Sequence, residues 1–320
     1  LVLLIVPWTA ALSLGRVDWT RVRGAPVSVA IVQGAIPQDL KWIQSNRLPT
    51  RALYQRLNDE ALGASLILWP ESAVPELAND MTRYLAEIYR RSRTRGSDVV
   101  MGIVRVGENG EDYYNSILAL TEPLAFYDKR HLVPFAEYFP VPPFVRSWLR
   151  LMSLPYSDFN RGAAVQAPLP AAGLQLATTI CYEDAYGSSQ LPVLATATAL
   201  VNVTNDAWFG RSSARYQHLQ ISRMRASEAQ RFLVRAANDG VSAVIGPRGE
   251  RVEIQIRTHE MHRIAEEGIA AHWKYKEGIY QHHPDEDKVV WLRQLVALGE
   301  TTDDAGEFME AIRVDLYDDE

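Results

Sequence analysis

A chain of 320 residues that is 47% hydrophobic has room for one large core or two modest ones. Its single cysteine excludes an internal disulfide and any cysteine-based zinc site. The net charge of −6 is modest but uneven: residues 1–250 carry a net of +3 and residues 251–320 a net of −9, so the two stretches read as segments of different role.

In chain order, Leu1–Leu14 is almost continuously apolar and is followed by Trp19, Arg16, Arg21 and Arg23. A full bilayer span needs about 20 residues. Residues 1–23 are therefore read as a truncated transmembrane helix with a juxtamembrane segment, its tryptophans and arginines suited to a membrane interface. A signal peptide and a buried core helix compete with that reading; no small-x-small cleavage site supports the first.

Residues 27–34 predict a first buried strand, with helix to about residue 62. A second strand over 65–71 ends at Glu71, and an arginine-rich helix is expected over 76–95. Strands at 99–106 and 116–121 are joined by a Gly-Glu-Asn-Gly-Glu-Asp turn, and a short strand runs from Phe126 to Lys129. Residues 138–170, rich in proline and aromatics without a period, read as a long functional loop or lid. Further strands are expected at 174–181, 199–204, 231–237 and 241–246, with a helix near 214–229. Strands alternating with helices indicate an α/β domain, here residues 24–250.

Three residues at strand ends carry the chemistry. A thiol becomes a nucleophile at neutral pH with a base and a positive charge beside it. Cys181, Glu71 and Lys129 supply those three roles. Alone, each has a plainer account: a cysteine on an apolar strand is usually inert core, and a glutamate after Trp-Pro usually belongs to a turn.

The flanking motifs lift them above that. Val-Gln-Gly-Ala-Ile-Pro-Gln-Asp-Leu-Lys-Trp (32–42), Leu-Trp-Pro-Glu-Ser-Ala-Val-Pro (68–75), Tyr-Asp-Lys-Arg-His-Leu-Val-Pro-Phe-Ala-Glu (127–137), Ile-Cys-Tyr-Glu (180–183), Asn-Asp-Ala-Trp-Phe-Gly (205–210) and the Asn-Asp-Gly stretch from 238 to 249 occur in one order. Together they resemble the nitrilase superfamily, and within it the periplasmic domain of the apolipoprotein N-acyltransferase family.

That resemblance implies an α-β-β-α sandwich and a Glu-Lys-Cys catalytic set. Cys181 would hold the acyl group as a thioester, Glu71 would act as base, and Lys129 would stabilise thiolate and oxyanion. It implies supporting roles for Glu137, Tyr182 and Glu183, and substrate-binding roles for Trp42, Asn205 and Trp208. The implied partners are a phospholipid acyl donor, an apolipoprotein whose diacylglyceryl-cysteine amine accepts the chain, and the membrane. The implied place is the inner membrane with the domain facing the periplasm. No cofactor, metal or nucleic acid is implied. His131 is expected to be a structural hydrogen-bonding residue, since Glu71 fills the role of base. The chain departs from the family at Ala136, where glycine is usual; a positive φ there would strain the loop that places Glu137. A nitrilase-type amidase acting on a small soluble substrate is the alternative.

Residues 251–278 instead resemble the end of the synthetase domain of RelA/SpoT-type (p)ppGpp enzymes, and 290–320 the linker after it. The resemblance implies that Glu253 would help bind a metal, with Arg257 and His259 near the nucleotide. The family's ATP-binding segment, first metal-binding Asp and guanine-stacking Tyr are absent, so no pyrophosphokinase activity is expected. The acidic tail is read as mainly helical and the whole as a chimera. His259 and His262 lack metalloprotease spacing and a third ligand. Val252–Ile256 alternates like a strand and is expected to substitute for a final strand of the sandwich.

Overall fold

The computed structural model describes residues 2–22, 24–141, 159–210 and 212–252. The chain divides into two compact units, Leu1–Ile254 and Gln255–Glu320. The second unit lies outside the described residues, and with it the expected helical tail and nearly all of the stretch resembling a synthetase.

The first unit is built on two sheets. One has the order β1-β2-β3-β4-β5: β1 is Val29–Ile31, β2 Leu66–Trp69, β3 Asp98–Val106, β4 Tyr113–Leu120 and β5 Ala125–Asp128. The first three run parallel, and β4 reverses between β3 and β5, so β5 again points the same way as β2. The other sheet has β7 (Leu174–Ile180), β8 (Ala199–Thr204) and β9 (Leu233–Ala237) in parallel at its centre. β6 (Leu169–Ala171), β10 (Ala243–Ile245) and β11 (Arg251–Val252) are antiparallel additions at its edges.

Period-two alternation sends each strand's side chains to two different cores. Leu66, Leu68, Val100, Ile117 and Ala119 point inward and meet Leu176, Ile180, Val201, Val203 and Val234 of the facing sheet. Their neighbours Ile67, Trp69, Val99, Met101, Leu118 and Leu120 point outward onto helices. Those helices are α3 (Arg47–Glu60) and α4 (Thr82–Arg93), which contribute Tyr54, Leu85 and Ile88; α1 (Val2–Leu14) and α2 (Gln38–Lys41) precede them. The second sheet's outer face packs Leu200, Leu233 and Ile245 on Leu219, Ala226 and Ala229 of α6 (Ala214–Ala229), with α5 (Leu191–Leu194) before it. The result is the expected α-β-β-α sandwich.

Most of the expected strands and helices form with small shifts at their ends; the first strand, expected buried over 27–34, is a half-buried edge strand of three residues, and the helix expected to about residue 62 is broken between α2 and α3 by a 3-10 turn at Gln44–Asn46. The reading of 138–170 as loop needs one correction: Leu169 and Pro170 belong to β6, because the chain must cover the β7 edge and Pro170 needs no ladder N–H there. Residues 142–158 of that segment lie outside the described residues. Arg251–Val252 does add a strand, paired antiparallel to β10; the rest of the expected strand is not described.

Helix α1 has 13 residues with Pro7 inside it, a length of about 20 Å at 1.5 Å per residue. Among the described residues no helix is long and apolar enough to cross a membrane. Nor is α1 a core helix, the third reading of this segment: Ile5, Val6, Trp8, Leu12 and Leu14 all stay exposed. The segment after it docks on the domain, where Gln230 Nε2 donates to the Val17 carbonyl over 3.1 Å.

Candidate active site

Strand direction gathers the site. Glu71 follows β2, Lys129 follows β5, Cys181 follows β7, and Asn205 and Asp206 follow β8. These are carboxyl ends of strands that run the same way within their sheets, the usual place for a site in α/β folds.

Lys129 is the electrostatic centre. Its Nζ lies 3.3 Å from Glu71 Oε1 and 2.8 Å from Glu137 Oε1, with only 1% of the side chain exposed. Burial alone would lower its pKa, but the carboxylates of Glu71 and Glu137 more than offset this, so it stays charged. Asn115 Nδ2 donates to the same two oxygens, at 2.8 and 3.0 Å. Glu137 is tied back by the Val133 N–H at 2.8 Å. One ammonium and one amide thus hold two carboxylates together.

The thiol sits at a sharp turn. Strand β7 ends at Ile180, and Cys181 opens a 3-10 turn with φ of +53°, a left-handed conformation that non-glycine residues rarely adopt. Cys181 is free and partly exposed. Burial of the sulfur pushes its pKa up to about 12, Glu71 adds to that, and Lys129 works against it. The resting group is therefore a thiol, and it reacts only as its proton leaves. Glu71 and Lys129 are both within electrostatic reach of it, so the structure brings together a thiol, a carboxylate and a buried ammonium.

Glu183 joins the two halves of the site. Fully buried, it accepts from the backbone N–H groups of Ile180, Arg130 and His131 at 2.9, 2.7 and 2.9 Å, and from Tyr127 Oη at 3.0 Å. Burial works against its charge, but the donors, foremost those of His131, keep its pKa below the usual value. It therefore fastens the turn bearing Cys181 to the loop after Lys129. His131 stacks on Tyr186 at 4.1 Å, and its backbone N–H, not its ring, bonds Glu183; Nδ1 stands 3.8 Å from that carboxylate and has no hydrogen-bond partner among the described residues, so the ring is not the hydrogen-bonding group expected.

The remaining expected residues divide. Tyr182 is half-buried and its hydroxyl meets that of Tyr186 at 3.1 Å. Asn205 is buried, donating to Gln38 Oε1 at 2.7 Å and accepting from Asn238 at 3.0 Å, so it braces the loop before α2. Trp42 and Trp208 are exposed, and Trp208 lines an open hollow with Pro37, Gln38, Asp39, Ala207 and Asp239. The strain expected at Ala136 falls elsewhere: the residue with positive φ is Phe135, at +63°.

Motif reading missed three contributors. Asn115 lies mid-strand in β4, signalled only by its polarity within a buried apolar run. Gly102 lies against the Glu71 backbone; a Cβ there would come within 2.5 Å of Glu71 Cα. Lys41, 1% exposed, donates from Nζ to the Glu71 carbonyl at 3.1 Å.

Fold and site geometry together define a two-sheet α/β protein of the nitrilase superfamily. The chain belongs to the carbon-nitrogen hydrolase family, whose profile matches residues 28–264. The match runs beyond Glu250, the boundary at which the sequence changes character. The chain is 41% identical over 248 residues to an apolipoprotein N-acyltransferase of Nitrosomonas europaea, covering 77% of this chain and 50% of that protein. It is 39% identical over 273 residues to one of Pseudomonas syringae pv. tomato, covering 84% and 54%. The chain thus spans about half the length of the curated relatives it matches. Among solved structures it is similar to a CN-hydrolase superfamily protein of Xanthomonas campestris, with a TM-score of 0.52, 18% identity and coverage of 81% of this chain and 99% of that one. Nit3 of Saccharomyces cerevisiae, of branch 10 of the nitrilase superfamily, gives a TM-score of 0.51, 16% identity and coverage of 73% and 88%. At such identities the likeness concerns the fold alone.

Proposed function

We propose that this domain transfers a fatty acyl chain from a phospholipid to the terminal amine of an apolipoprotein. The observation that carries the reading is the similarity, at about 40% identity, to apolipoprotein N-acyltransferases over the stretch that contains Glu71, Lys129 and Cys181. In the first half-reaction the Cys181 sulfur attacks the ester carbonyl as Glu71 takes the thiol proton. Lys129 offsets the charge on the oxyanion. Collapse breaks the ester C–O bond, and the lysophospholipid alcohol leaves with the proton from Glu71. In the second, the amine of the diacylglyceryl-cysteine attacks the thioester, Glu71 takes its proton, the amide forms and the thiol is restored. The high pKa of Cys181 fits a proton transfer concerted with attack rather than a standing thiolate.

Glu137, Tyr182 and Glu183 support this set, and the exposed Trp42 and Trp208 are offered to the substrates; Asn205, expected to bind substrate, is buried and instead braces the chain at Gln38. The exposed apolar helix α1 and the exposed Trp8, Trp19, Trp42 and Trp208 suit an inner-membrane position with the domain facing the periplasm. In this reading residues 1–23 are the membrane-proximal segment, 24–250 the acyltransferase domain, and 251–320 a synthetase-like remnant without pyrophosphokinase activity.

The test is to incubate the chain with phospholipid vesicles and measure its intact mass, with Cys181→Ala as control. A fatty-acyl adduct on Cys181, absent in the variant, supports the reading. Hydrolysis of simple amides by a folded chain that takes up no acyl group would replace it with an amidase.

A further inference from the structure

Residues 1–250 contain two lysines against many arginines, and both lysines are buried beside Glu71. Lys129 has its carboxylate partners. Lys41, the last residue of α2, has among the described residues a single acceptor, the Glu71 carbonyl oxygen at 3.1 Å. An ammonium buried against one neutral carbonyl is poorly compensated. Arginine, broader and always charged, cannot give up its proton to relieve such a position, whereas lysine is a compact point charge that responds to its surroundings.

The Glu71 backbone around this contact is tightly held. Ser72 has φ of +45°, Gly102 packs where no Cβ fits, and the Ala73 N–H donates to the Gly102 carbonyl at 3.0 Å. Lys41 closes this clamp at the Glu71 carbonyl. The ionisable groups that act on Lys41 are Glu71, after β2, and Cys181, after β7, with Lys129 and Glu137 hydrogen-bonded beyond Glu71. We infer that Lys41 is a positioning residue of this site: by pinning the Glu71 main chain at its carbonyl oxygen it sets where the Glu71 carboxylate stands to take the Cys181 proton. Burial brings its pKa down to about 8 against the pull of Glu71 and Cys181, so the charge is present at neutral pH and lost just above it. The inference rests on Cys181 as the nucleophile but not on which acyl donor it attacks.

Cys181 is the chain's one cysteine, so alkylation by iodoacetamide, followed by intact mass from pH 5.5 to 10.5, reads this thiol alone and needs no lipid. In folded Lys41→Met alkylation at pH 7.5 is expected to be about tenfold slower, because a displaced Glu71 takes the thiol proton less well. Lys41→Arg should recover most of that rate. A purely structural lysine would change the melting temperature and leave the alkylation profile in place, and that result overturns the inference; so does a Lys41→Arg chain as slow as Lys41→Met. Should Lys41→Met fail to fold, Lys41→Arg alone decides: a rate within about threefold of wild type is expected, and a tenfold loss in a folded Lys41→Arg chain overturns the inference. Vesicle acylation, run separately, decides the acyltransferase reading whatever alkylation shows.

Discussion

Two buried charge clusters lie near Cys181, and they differ in what their charges are free to do. The first is Glu71, Lys129, Glu137 and Asn115. The second is Asp184, Asp206, His218 and Arg235, linked to the Cys181 turn through Asn202. Arg235, with no exposed surface, reaches Asp206 at 2.8 Å, Ser222 at 2.9 Å and Asn202 at 2.6 Å. His218 lies 2.8 Å from Asp206 and 3.2 Å from Asp184. Asn202 in turn donates to the Cys181 carbonyl at 2.9 Å. In the second cluster Arg235 and His218 each bridge carboxylates, although they also approach each other at 2.9 Å, and all four side chains are almost fully buried, so the cluster stiffens the turn. In the first cluster two carboxylates share one ammonium, and Cys181 beside it is partly exposed. Each contains two carboxylates, but the second has two cations, Arg235 and His218, and the first only Lys129. What separates the reactive cluster from the bracing one is access and a carboxylate left over to take a proton.

Substitutions in the two clusters should therefore separate activity from stability. The largest expected effect is Glu71→Gln, which removes the base with little change of shape: acyl-adduct formation on Cys181 should fall by about 10²–10⁴-fold. Its melting temperature should move little, since the amide still packs by Asn115. Adduct formed at the wild-type rate would remove Glu71 from the mechanism. Arg235→Met should do the reverse. It leaves Asp184 and Asp206 short of a buried cation and should cost about 3–5 kcal/mol in chemical denaturation, with adduct formation lost only as the folded fraction falls. A fully folded but unreactive Arg235→Met chain would show that the second cluster also takes part in the chemistry.

A pH titration of stability sharpens the comparison. Burial lowers the pKa of His218, but Asp184 and Asp206 raise it more, to about 9. With its folded pKa raised, His218 contributes stability that is fully present below its unfolded value near 6.5 and is lost as pH rises through 9. The amount is on the order of 1–3 kcal/mol. Lys41 has the opposite sign: its pKa, lowered to about 8, makes protonation costly when folded, so stability is regained between about 8 and 10.5. Wild type should therefore lose stability from pH 6.5 to about 8; between 8 and 9 the Lys41 gain opposes the His218 loss, and above 9 the Cys181 thiol, its folded pKa raised to about 12, opposes the Lys41 gain in turn. In His218→Asn the early decline should disappear; a decline that survives the substitution would mean that another group titrates there.

How far the sequence carried these conclusions depends on the range of the interactions involved. Period-two alternation revealed the strands because each faces a core on both sides, and strand ends flanked by motifs revealed Glu71, Lys129 and Cys181. Asn115 and Gly102 were invisible to that reading. Their roles arise from lateral pairing: the Lys129 N–H donates to the Asn115 carbonyl at 2.8 Å across neighbouring strands, and β3 lies beside β2 in a register that no local motif encodes. Lys41 did leave a trace, as one of two lysines in an arginine-rich stretch, but only burial beside Glu71 gives that count a meaning.

The smallest effect concerns the loop that carries Glu137, where sequence and structure disagree about one residue. Glycine in place of Ala136 would relieve strain only if Ala136 had positive φ, and that conformation belongs to Phe135. The Ala136 N–H bonds to the Val133 carbonyl at 3.3 Å and the Glu137 N–H to the same oxygen at 2.9 Å, a tight turn that alanine fits. Ala136→Gly should therefore bring no gain and should lower stability by about 0.5–1 kcal/mol through the extra freedom of the unfolded chain. Adduct formation should stay within about twofold of wild type, because Glu137 is held from its other side by Lys129 and Asn115. A clear rise in both stability and rate would mean that the turn is strained at Ala136 after all, and that the hold on Glu137 depends on this backbone more than on its side-chain partners.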